Sequence, residues 1–331
     1  MARALELAER GRYSTRPNPC VGCVLTRDGQ IVGEGWHEHT GGPHAEIRAL
    51  QMVGGDADGC CCYVTLEPCC HQGETPPCTD ALIEAGIARV VVAIEDPDPR
   101  VHGNGIAALR AAGLTVDIGL MAEEATFSNR GFIQRMQQSR PFVRLKLAAS
   151  LDGRTAAQHG ESKWITSVAA RQDVQRWRAM SGAILTGIGT VLADDPRLTV
   201  REKSLLGPAG QPLRVVVDSS LRTAVGAKIL NEDGKSLVAT TIASAPSLQG
   251  LEDVEVLTFA AKLGRVPLAA LLHTLATRQI NDVLVESGSV LAGALLKQRL
   301  VDELVLYLAP SLLGDEAPGL ASIAGLERLD D

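Results

Sequence analysis

Pro43-His44-Ala45-Glu46, followed by Pro68-Cys69 and then by Pro76-Pro77-Cys78-Thr79-Asp80, is the part of the chain that decides its reading. An imidazole and two thiols are soft and borderline donors suited to zinc, and Glu46 sits too close to His44 to be a fourth ligand on a regular helix. Residues two apart on a helix point roughly 200° away from each other, so His44 and Glu46 can serve one metal only if His44 stands at the helix tip. Gly41-Gly42-Pro43 supplies an abrupt start for that helix, and Pro76-Pro77 does the same for a second helix opening at Cys78. Two helix starts then converge on the cation and favour thiolate. Three protein ligands leave the fourth position of a tetrahedral zinc open, which is the arrangement that activates water, with Glu46 as proton carrier.

Two structural readings compete at this point. A fourth cysteine, Cys70 or Cys23, would close the site into a purely structural zinc, but such a site has no use for a carboxylate beside its histidine. Cys20-x-x-Cys23 has knuckle spacing, yet it enters a strand in which residues three apart face opposite sides, so Cys23 is expected in the core. Cys60, Cys61 and Cys62 lead into a strand and are read as small hydrophobes. His37, His39, His102, His159 and His273 lack partner motifs and are read as surface or packing residues.

Composition fits a folded chain with ordinary cores. The 331 residues are 45% hydrophobic, 21% charged and 3% aromatic, with net charge -7. That length favours two domains. The acidic balance and the scarcity of aromatics argue against a nucleic-acid partner. No apolar run reaches membrane-spanning length and the charged N-terminus does not read as a signal segment, so a cytoplasmic location is expected. All eight cysteines lie at or before Cys78, which points to a metal site rather than a disulfide scaffold and gives the two halves different chemistry.

Working outward, helix and strand patterns alternate through both halves. The first half predicts helices at Ala2 to Glu9, from His44, at Thr79 to Ala85 and at Gly105 to Ala112. Its strands fall at Val21 to Thr26, Gln30 to Gly35, Cys62 to Leu66, Arg89 to Ile94 and Thr115 to Ile118. Glu123 to Ser139 reads as a helix and connector, and Pro141 opens a strand at Phe142 to Ala148. Further strands are expected at Ala183 to Thr186, Leu213 to Val217, Ser236 to Thr240, Val254 to Leu257, Val283 to Glu286 and Glu303 to Leu308. Helices are expected at Ser167 to Ala179, Pro267 to Ala276 and Val290 to Arg299. The expectation is two α/β domains, residues 1–139 and 140–331.

These segments together resemble the bifunctional deaminase/reductase family of riboflavin biosynthesis. Asn18-Pro19, Val21-Gly22-Cys23-Val24, Pro43-His44-Ala45-Glu46, Tyr63-Val64-Thr65-Leu66-Glu67-Pro68-Cys69 and Gly73 through Cys78 are similar to its deaminase half. Lys146-Leu147, Ala149-Ser150-Leu151-Asp152-Gly153-Arg154, Gly160-Glu161-Ser162, Trp164-Ile165-Thr166, Thr190 through Pro196, Val285-Glu286 and Gly288 with Leu291 through Leu295 are similar to its reductase half. The resemblance implies a cytidine-deaminase-like three-layer α/β/α domain followed by a dihydrofolate-reductase-like α/β domain. The implied activities are hydrolytic deamination of a phosphoribosylamino diaminopyrimidine and NADPH-dependent reduction of its ribosyl group to ribityl.

By that similarity His44, Cys69 and Cys78 hold one zinc and Glu46 is catalytic. NADPH falls on Ala148, Trp164, Thr190, Asp194, Ser219, Gly288, Ser289, Val290, Leu291, Ala292, Gly293 and Ala294. Substrate falls on Ser162, Arg178, Leu198, Arg201 and Glu286. Family analogy alone points to a homodimer and to small-molecule partners only. Physical reasoning adds that backbone amides at Gly288-Ser289, opening a helix after an apolar strand, can receive a cofactor phosphate. Arg178 and Arg201 are read as phosphate clamps. Gly187-x-Gly189 alone is a weak signal. Glu74 departs from the basic residue usual there, and its charge would repel an anionic substrate. The chain is expected to end before the closing strands of the reductase fold. A zinc cytidine or tRNA-base deaminase with an inert second domain, and a binding module with structural zinc, are the alternative functions.

Overall fold

The computed structural model describes residues 1–72, 76–159, 165–245, 248 and 250–325. Two compact units divide the chain: Met1–Gln138 with Gly207–Ala209, and Ser139–Leu206 with Gly210–Asp331. A single cut between residues 139 and 140 has no place for the three-residue return at Gly207–Ala209.

The first unit runs α1 (Ala2–Glu9), β1 (Gly22–Arg27), β2 (Gln30–Trp36), α2 (Ala45–Met52), β3 (Cys61–Val64), α3 (Cys78–Glu84), β4 (Arg89–Val92), α4 (Asn104–Ala111), β5 (Thr115–Ile118), α5 (Ala122–Ser128) and α6 (Arg130–Gln138). Its sheet has the order β2-β1-β3-β4-β5, with β1 antiparallel to β2 and β3 and the rest parallel. The period of two in β1 separates the layers. Cys23 and Leu25 pack against Ala45 and Ala49 of α2 and Leu82 of α3, whereas Val24 packs against Ala4 and Leu7 of α1 on the opposite face. Each fully buried leucine of this kind contributes about 1.5–3 kcal/mol of transfer free energy.

Cysteines in this unit behave largely as small hydrophobes. Cys60 and Cys62 are fully buried and Cys61 is half-buried, while Cys23 is buried with its Sγ 3.5 Å from that of Cys62. The stretch expected as helix and connector is instead two helices, α5 and α6, broken at Asn129. The buried Asn129 amide exchanges two hydrogen bonds with the Cys20 backbone, at 2.8 and 2.9 Å, and that local pairing competes with helix continuation.

Two glycines set the spacing of the layers near His44 and Cys69. A Cβ on Gly35 would lie 2.3 Å from the Ala45 carbonyl oxygen, so glycine lets the start of α2 seat on β2. One on Gly105 would lie 2.1 Å from the Pro68 carbonyl oxygen, so α4 can press on the segment leading to Cys69. Both contacts fix where the metal-ligand candidates begin.

The second unit runs β6 (Phe142–Ser150), α7 (Val168–Met180), β7 (Ala183–Gly187), α8 (Ile188–Asp194), β8 (Leu213–Val217), α9 (Lys228–Asn231), β9 (Ser236–Thr240), β10 (Val254–Thr258), α10 (Leu268–Thr277), β11 (Asp282–Glu286), α11 (Ser289–Lys297) and β12 (Glu303–Ala309). Its sheet is parallel in the order β10-β9-β8-β7-β11-β6-β12. The chain steps outward from β7 to β10, then returns to insert β11 between β7 and β6. Such a reversal opens a crevice at the carboxyl ends of the strands. The central strands are buried on both faces, which is why Val283-Leu284-Val285 reads as a continuous apolar run rather than an alternating one.

Ser167 caps α7 through its Oγ, which accepts the Ala170 amide at 3.2 Å. Helix α8 was absent from the sequence expectation, because two of the three residues from Gly187 to Gly189 are glycine and disguise its start. At the other end of β8, Arg214 is fully buried without a carboxylate partner among the described residues. Its guanidinium donates to the carbonyls of Glu232, Asp233 and Gly234 at 2.8, 2.6 and 2.6 Å, and its Nε to Ser236 Oγ at 3.0 Å.

Candidate active sites

In the first unit His44 is the N-cap of α2, Glu46 lies in its first turn and Cys78 is the first residue of α3. Cys69 arrives on the segment after β3. The ligand atoms of His44, Cys69 and Cys78 all lie within 4.8 Å of one another, and no other such group occurs among the described residues. His44 Nδ1 stands 3.2 Å from Cys78 Sγ and 3.5 Å from Cys69 Sγ. A tetrahedral zinc at its usual ligand distances spaces nitrogen and sulfur donors roughly 3.5 Å apart, so the three atoms fit that ion. Neither Cys23 nor Cys70 joins the group.

Electrostatics around these donors separates their roles. The Cys69 thiol is held down to about 4 by the hydrogen bond from Cys78, with His44 and the Cys78 amide adding to it; the amide donates at 3.4 Å. Cys78 is pushed well above the ordinary thiol range by sharing that contact and by burial. The hydrogen bond to Cys69 raises His44. Glu46 is 3% exposed, and burial pushes its carboxyl up to about 7. A carboxyl in that range can both accept and return a proton near neutral pH.

His37, expected as a packing residue, packs on the ligand candidate itself. Its ring meets that of His44 edge-on at 5.5 Å. One tautomer satisfies both of its contacts, with Nδ1–H donating to the Pro43 carbonyl at 3.3 Å and Nε2 accepting from Asn18 Nδ2 at 3.2 Å. Burial lowers its pKa and keeps it neutral. Glu67, next to Pro68-Cys69, is buried and accepts three backbone amides, from Asp96, Gly103 and Ile106, at 3.1, 2.9 and 3.1 Å. It ties the segment after β4 to the segment bearing Cys69.

Asp96 on that segment is 9% exposed, and burial pushes its carboxyl up to about 6. A carboxyl raised above its unfolded value binds more protons in the folded state, so stability falls as pH rises from about 4 through about 6. Asp96→Asn keeps an acceptor for the Asp98 amide and removes the charge. It is expected to stabilise the first unit by about 1–3 kcal/mol at about pH 8 and to give no advantage below about pH 4, as read from thermal midpoints at the two pH values.

In the second unit a cavity of about 1660 Å³ opens at the carboxyl ends of the strands. Of the positions expected for the cofactor, Ala148, Thr190, Asp194, Ser219, Gly288, Ser289, Val290, Leu291 and Ala294 line it. Ala292 and Gly293 do not. Ala292 is fully buried in the core and Gly293 faces the Ser322 backbone, because helix phase turns the middle of α11 away from a ligand at its tip. Trp164 and Ser162 lie outside the described residues, as does Glu74. The Gly288 amide is not free, since it donates to Thr190 Oγ1 at 3.1 Å. The following amides, in the first turn of α11, have no intrahelical acceptor.

Of the positions expected for substrate, Arg178, Leu198, Arg201 and Glu286 line the same cavity. Arg178 is not an open phosphate clamp. Its Nε and Nη2 bond the two Glu286 oxygens at 2.6 and 3.1 Å and its Nη1 bonds the Thr199 carbonyl at 2.9 Å, so its fork is committed. Arg201 has no ion-pair partner among the described residues, and burial together with the charge of Arg178 lowers its pKa. Lys146, which the sequence reading gave no role, is the register partner of Glu286 across β6 and β11, with Nζ 3.7 Å from Oε2. Burial alone would raise the Glu286 carboxyl, but Arg178 and Lys146 outweigh it and hold the group at about 2.

Comparison with known proteins covers both units. Residues 141–330 match the family model "RibD C-terminal domain", and residues 1–94 match "Cytidine and deoxycytidylate deaminase zinc-binding region". The chain is 52% identical over 340 residues to riboflavin biosynthesis protein RibD of Escherichia coli (strain K12), covering 100% of this chain and 92% of that one. It is similar to the solved structure of Acinetobacter baumannii RibD, with TM-score 0.92 and 47% identity over 99% of this chain and 90% of that chain. A diaminohydroxyphosphoribosylaminopyrimidine deaminase/5-amino-6-(5-phosphoribosylamino)uracil reductase from Thermotoga maritima superposes with TM-score 0.89 and 36% identity, over 100% and 91% of the two chains.

Proposed function

The chain belongs to the RibD family of bifunctional deaminase/reductases of riboflavin biosynthesis, and from that premise we propose how its residues divide the two reactions. It is an aminohydrolase that removes the ring amine of the diaminopyrimidine ribotide and an oxidoreductase that uses NADPH to reduce the ribosyl group of the product. Residues 1–139 carry the deaminase and 140–331 the reductase in this reading. The observation that carries it is the convergence of one imidazole nitrogen and two sulfurs within 4.8 Å, beside the buried carboxyl of Glu46.

His44, Cys69 and Cys78 hold the zinc, which when bound supplies a Lewis acid that makes water acidic near neutral pH. Glu46 accepts a proton on its carboxylate and gives it to the departing amine, a shuttle for which its buried place in the first turn of α2, two residues from His44, is suited. The donor imidazole is oriented by His37, which Asn18 and Pro43 fix in one tautomer. In the reductase NADPH supplies the hydride. Gly187 through Asp194 and the start of α11 receive the dinucleotide, and Arg201 is the open cation for the substrate phosphate. Glu286, held ionised by Arg178 and Lys146, orients the substrate hydroxyls. No helix among the described residues is long and apolar enough to cross a membrane. A cytoplasmic location and a homodimeric assembly complete the proposal by family analogy.

Given the diaminopyrimidine ribotide and NADPH, the purified chain is expected to release ammonia and then consume NADPH. Dialysis against a chelator should abolish ammonia release while sparing NADPH consumption on the already deaminated ribotide, and zinc should restore the first step. Undiminished ammonia release from protein shown by atomic absorption to be metal-free would overturn the metal assignment. Deamination of cytidine or RNA in place of the ribotide would favour the nucleobase-deaminase alternative.

A further inference from the structure

Arg201, on the wall of the second unit's cavity, is carried by a stretch with no regular structure, residues 195–202. Leu198, Thr199 and Val200 are nevertheless buried, so their backbone polar groups need partners that a helix or sheet would otherwise supply. Side chains supply them. Arg178 Nη1 donates to the Thr199 carbonyl at 2.9 Å. The Val200 amide donates to Gln211 Oε1 and Gln211 Nε2 donates to the Val200 carbonyl, both at 2.9 Å. Gln175 Oε1 accepts the Arg201 amide at 2.7 Å.

The two glutamines differ in what they leave over. Gln211 commits both ends of its amide to Val200, whereas Gln175 commits only its oxygen. A backbone N–H can only donate, so Oε1 of Gln175 must face Arg201 and the two hydrogens of Nε2 must point elsewhere. Nε2 has no acceptor among the described residues. Gln175 is only 6% exposed, and it lines the cavity. Its Nε2 is not among the sealed, unpartnered atoms of the interior, so the surface it keeps lies on the cavity side. The residue stands on α7 three positions before Arg178, on the same helix face, and the Arg178 fork is already committed to Glu286 and Thr199. Buried polar groups are as a rule satisfied, and here the missing acceptor is one that arrives with a ligand.

We propose that Gln175 is a specificity-determining residue of the reductase: its Oε1 positions Arg201, and its Nε2 donates to the substrate phosphate beside the Arg201 guanidinium. A neutral amide suits this place. The charge of Arg178 already acts on Arg201, so a further cation would add repulsion, whereas an amide adds two N–H donors to a charged acceptor without it. One side chain thereby couples the grip on the phosphate to the place of the cation that shares it. The inference rests on the reading of Arg201 as the phosphate cation. It does not involve the cofactor, which is placed on α8 and the start of α11.

Reductase kinetics of the full chain with the deaminated ribotide and with its dephosphorylated riboside, together with calorimetric titration of ribose 5-phosphate and NADPH, test this. Gln175→Glu keeps an acceptor for the Arg201 amide, so its thermal midpoint should stay near that of wild type, but it replaces the donors with a carboxylate. It is expected to raise KM for the ribotide and weaken ribose 5-phosphate by about tenfold or more, with the riboside and NADPH changed by less than about twofold. Gln175→Met, neutral and of similar volume, should weaken the same two phosphorylated ligands. Added to Arg201→Gln it should weaken ribose 5-phosphate by a further factor of about three or more, because the amide acts alongside the guanidinium and not only through it. Equal binding by Arg201→Gln and the double variant would overturn the direct contact. An unchanged ribotide KM in Gln175→Glu, equal losses on ribotide and riboside, or a loss on NADPH instead would each refute the proposal while leaving Arg201 in place. If Arg201→Gln itself leaves ribose 5-phosphate binding unaltered, the reading of Arg201 falls and this inference with it.

Discussion

Glu46→Gln is expected to lower ammonia release by about 10²–10⁴-fold, the range that a positioned acid/base group contributes. The substitution is nearly isosteric, so the buried position at the first turn of α2 stays filled and the N-cap geometry of His44 is kept. Zinc content, measured by atomic absorption, should be unchanged, because Glu46 is outside the set of three converging donor atoms. NADPH consumption with the deaminated ribotide should also be unchanged. The dissociation matters: loss of zinc along with activity would make Glu46 a structural support of the metal site, and retention of ammonia release would remove it from the chemistry.

The second large effect concerns stability. Glu286→Gln is expected to destabilise the second unit by about 3–5 kcal/mol at neutral pH, since it leaves Arg178 and Lys146 facing each other without their shared counter-charge. The depressed carboxyl gives a consistent size: a fall from 4.5 to about 2 corresponds to about 3 kcal/mol. A group with a lowered folded pKa contributes stability that is full above its unfolded value and is lost as pH falls through the folded one. The difference between wild type and variant should therefore be complete above about pH 5 and shrink to nothing near pH 2, in urea titrations followed by fluorescence of the second unit. Replacing all three charges together, Arg178→Met and Lys146→Met with Glu286→Leu, should recover most of that stability, because a buried ion cluster and a packed apolar set of similar volume are close in free energy. Reductase activity should not return with it.

How far the sequence could be read follows from the range of each signal. The deaminase centre was legible because its geometry is local: glycine and proline before His44, and two prolines before Cys78, place both residues at helix tips within a few positions of the motif. The partnership of Arg178, Glu286 and Lys146 was not, since it depends on the register between β6 and β11, strands separated by some 140 residues. Reading Arg178 as an open clamp followed from its residue type and from the family resemblance, neither of which reports its neighbours. Resemblance carried the cofactor stretch Gly288 through Ala294 as a block, whereas helix phase decides that Ala292 and Gly293 point into the core. Helix α8 was hidden by the glycines at its start, and the break at Asn129 by a hydrogen bond to a residue 109 positions away. Periodicity reports which face of an element is buried; it carries no information on what the buried face meets.

The carbonyl-solvated guanidinium of Arg214 gives the parallel sheet two ends of unlike character. Amide oxygens do not titrate in the accessible range, and an arginine stays cationic throughout it, so the tether from β8 to the Glu232–Gly234 bend is blind to acid. The Glu286 cluster at the opposite, cavity-facing end of the strands is not. Acidification therefore removes the counter-charge at the catalytic mouth while leaving the β8 tether untouched, so the grip on substrate and this one tie of the sheet answer to different conditions.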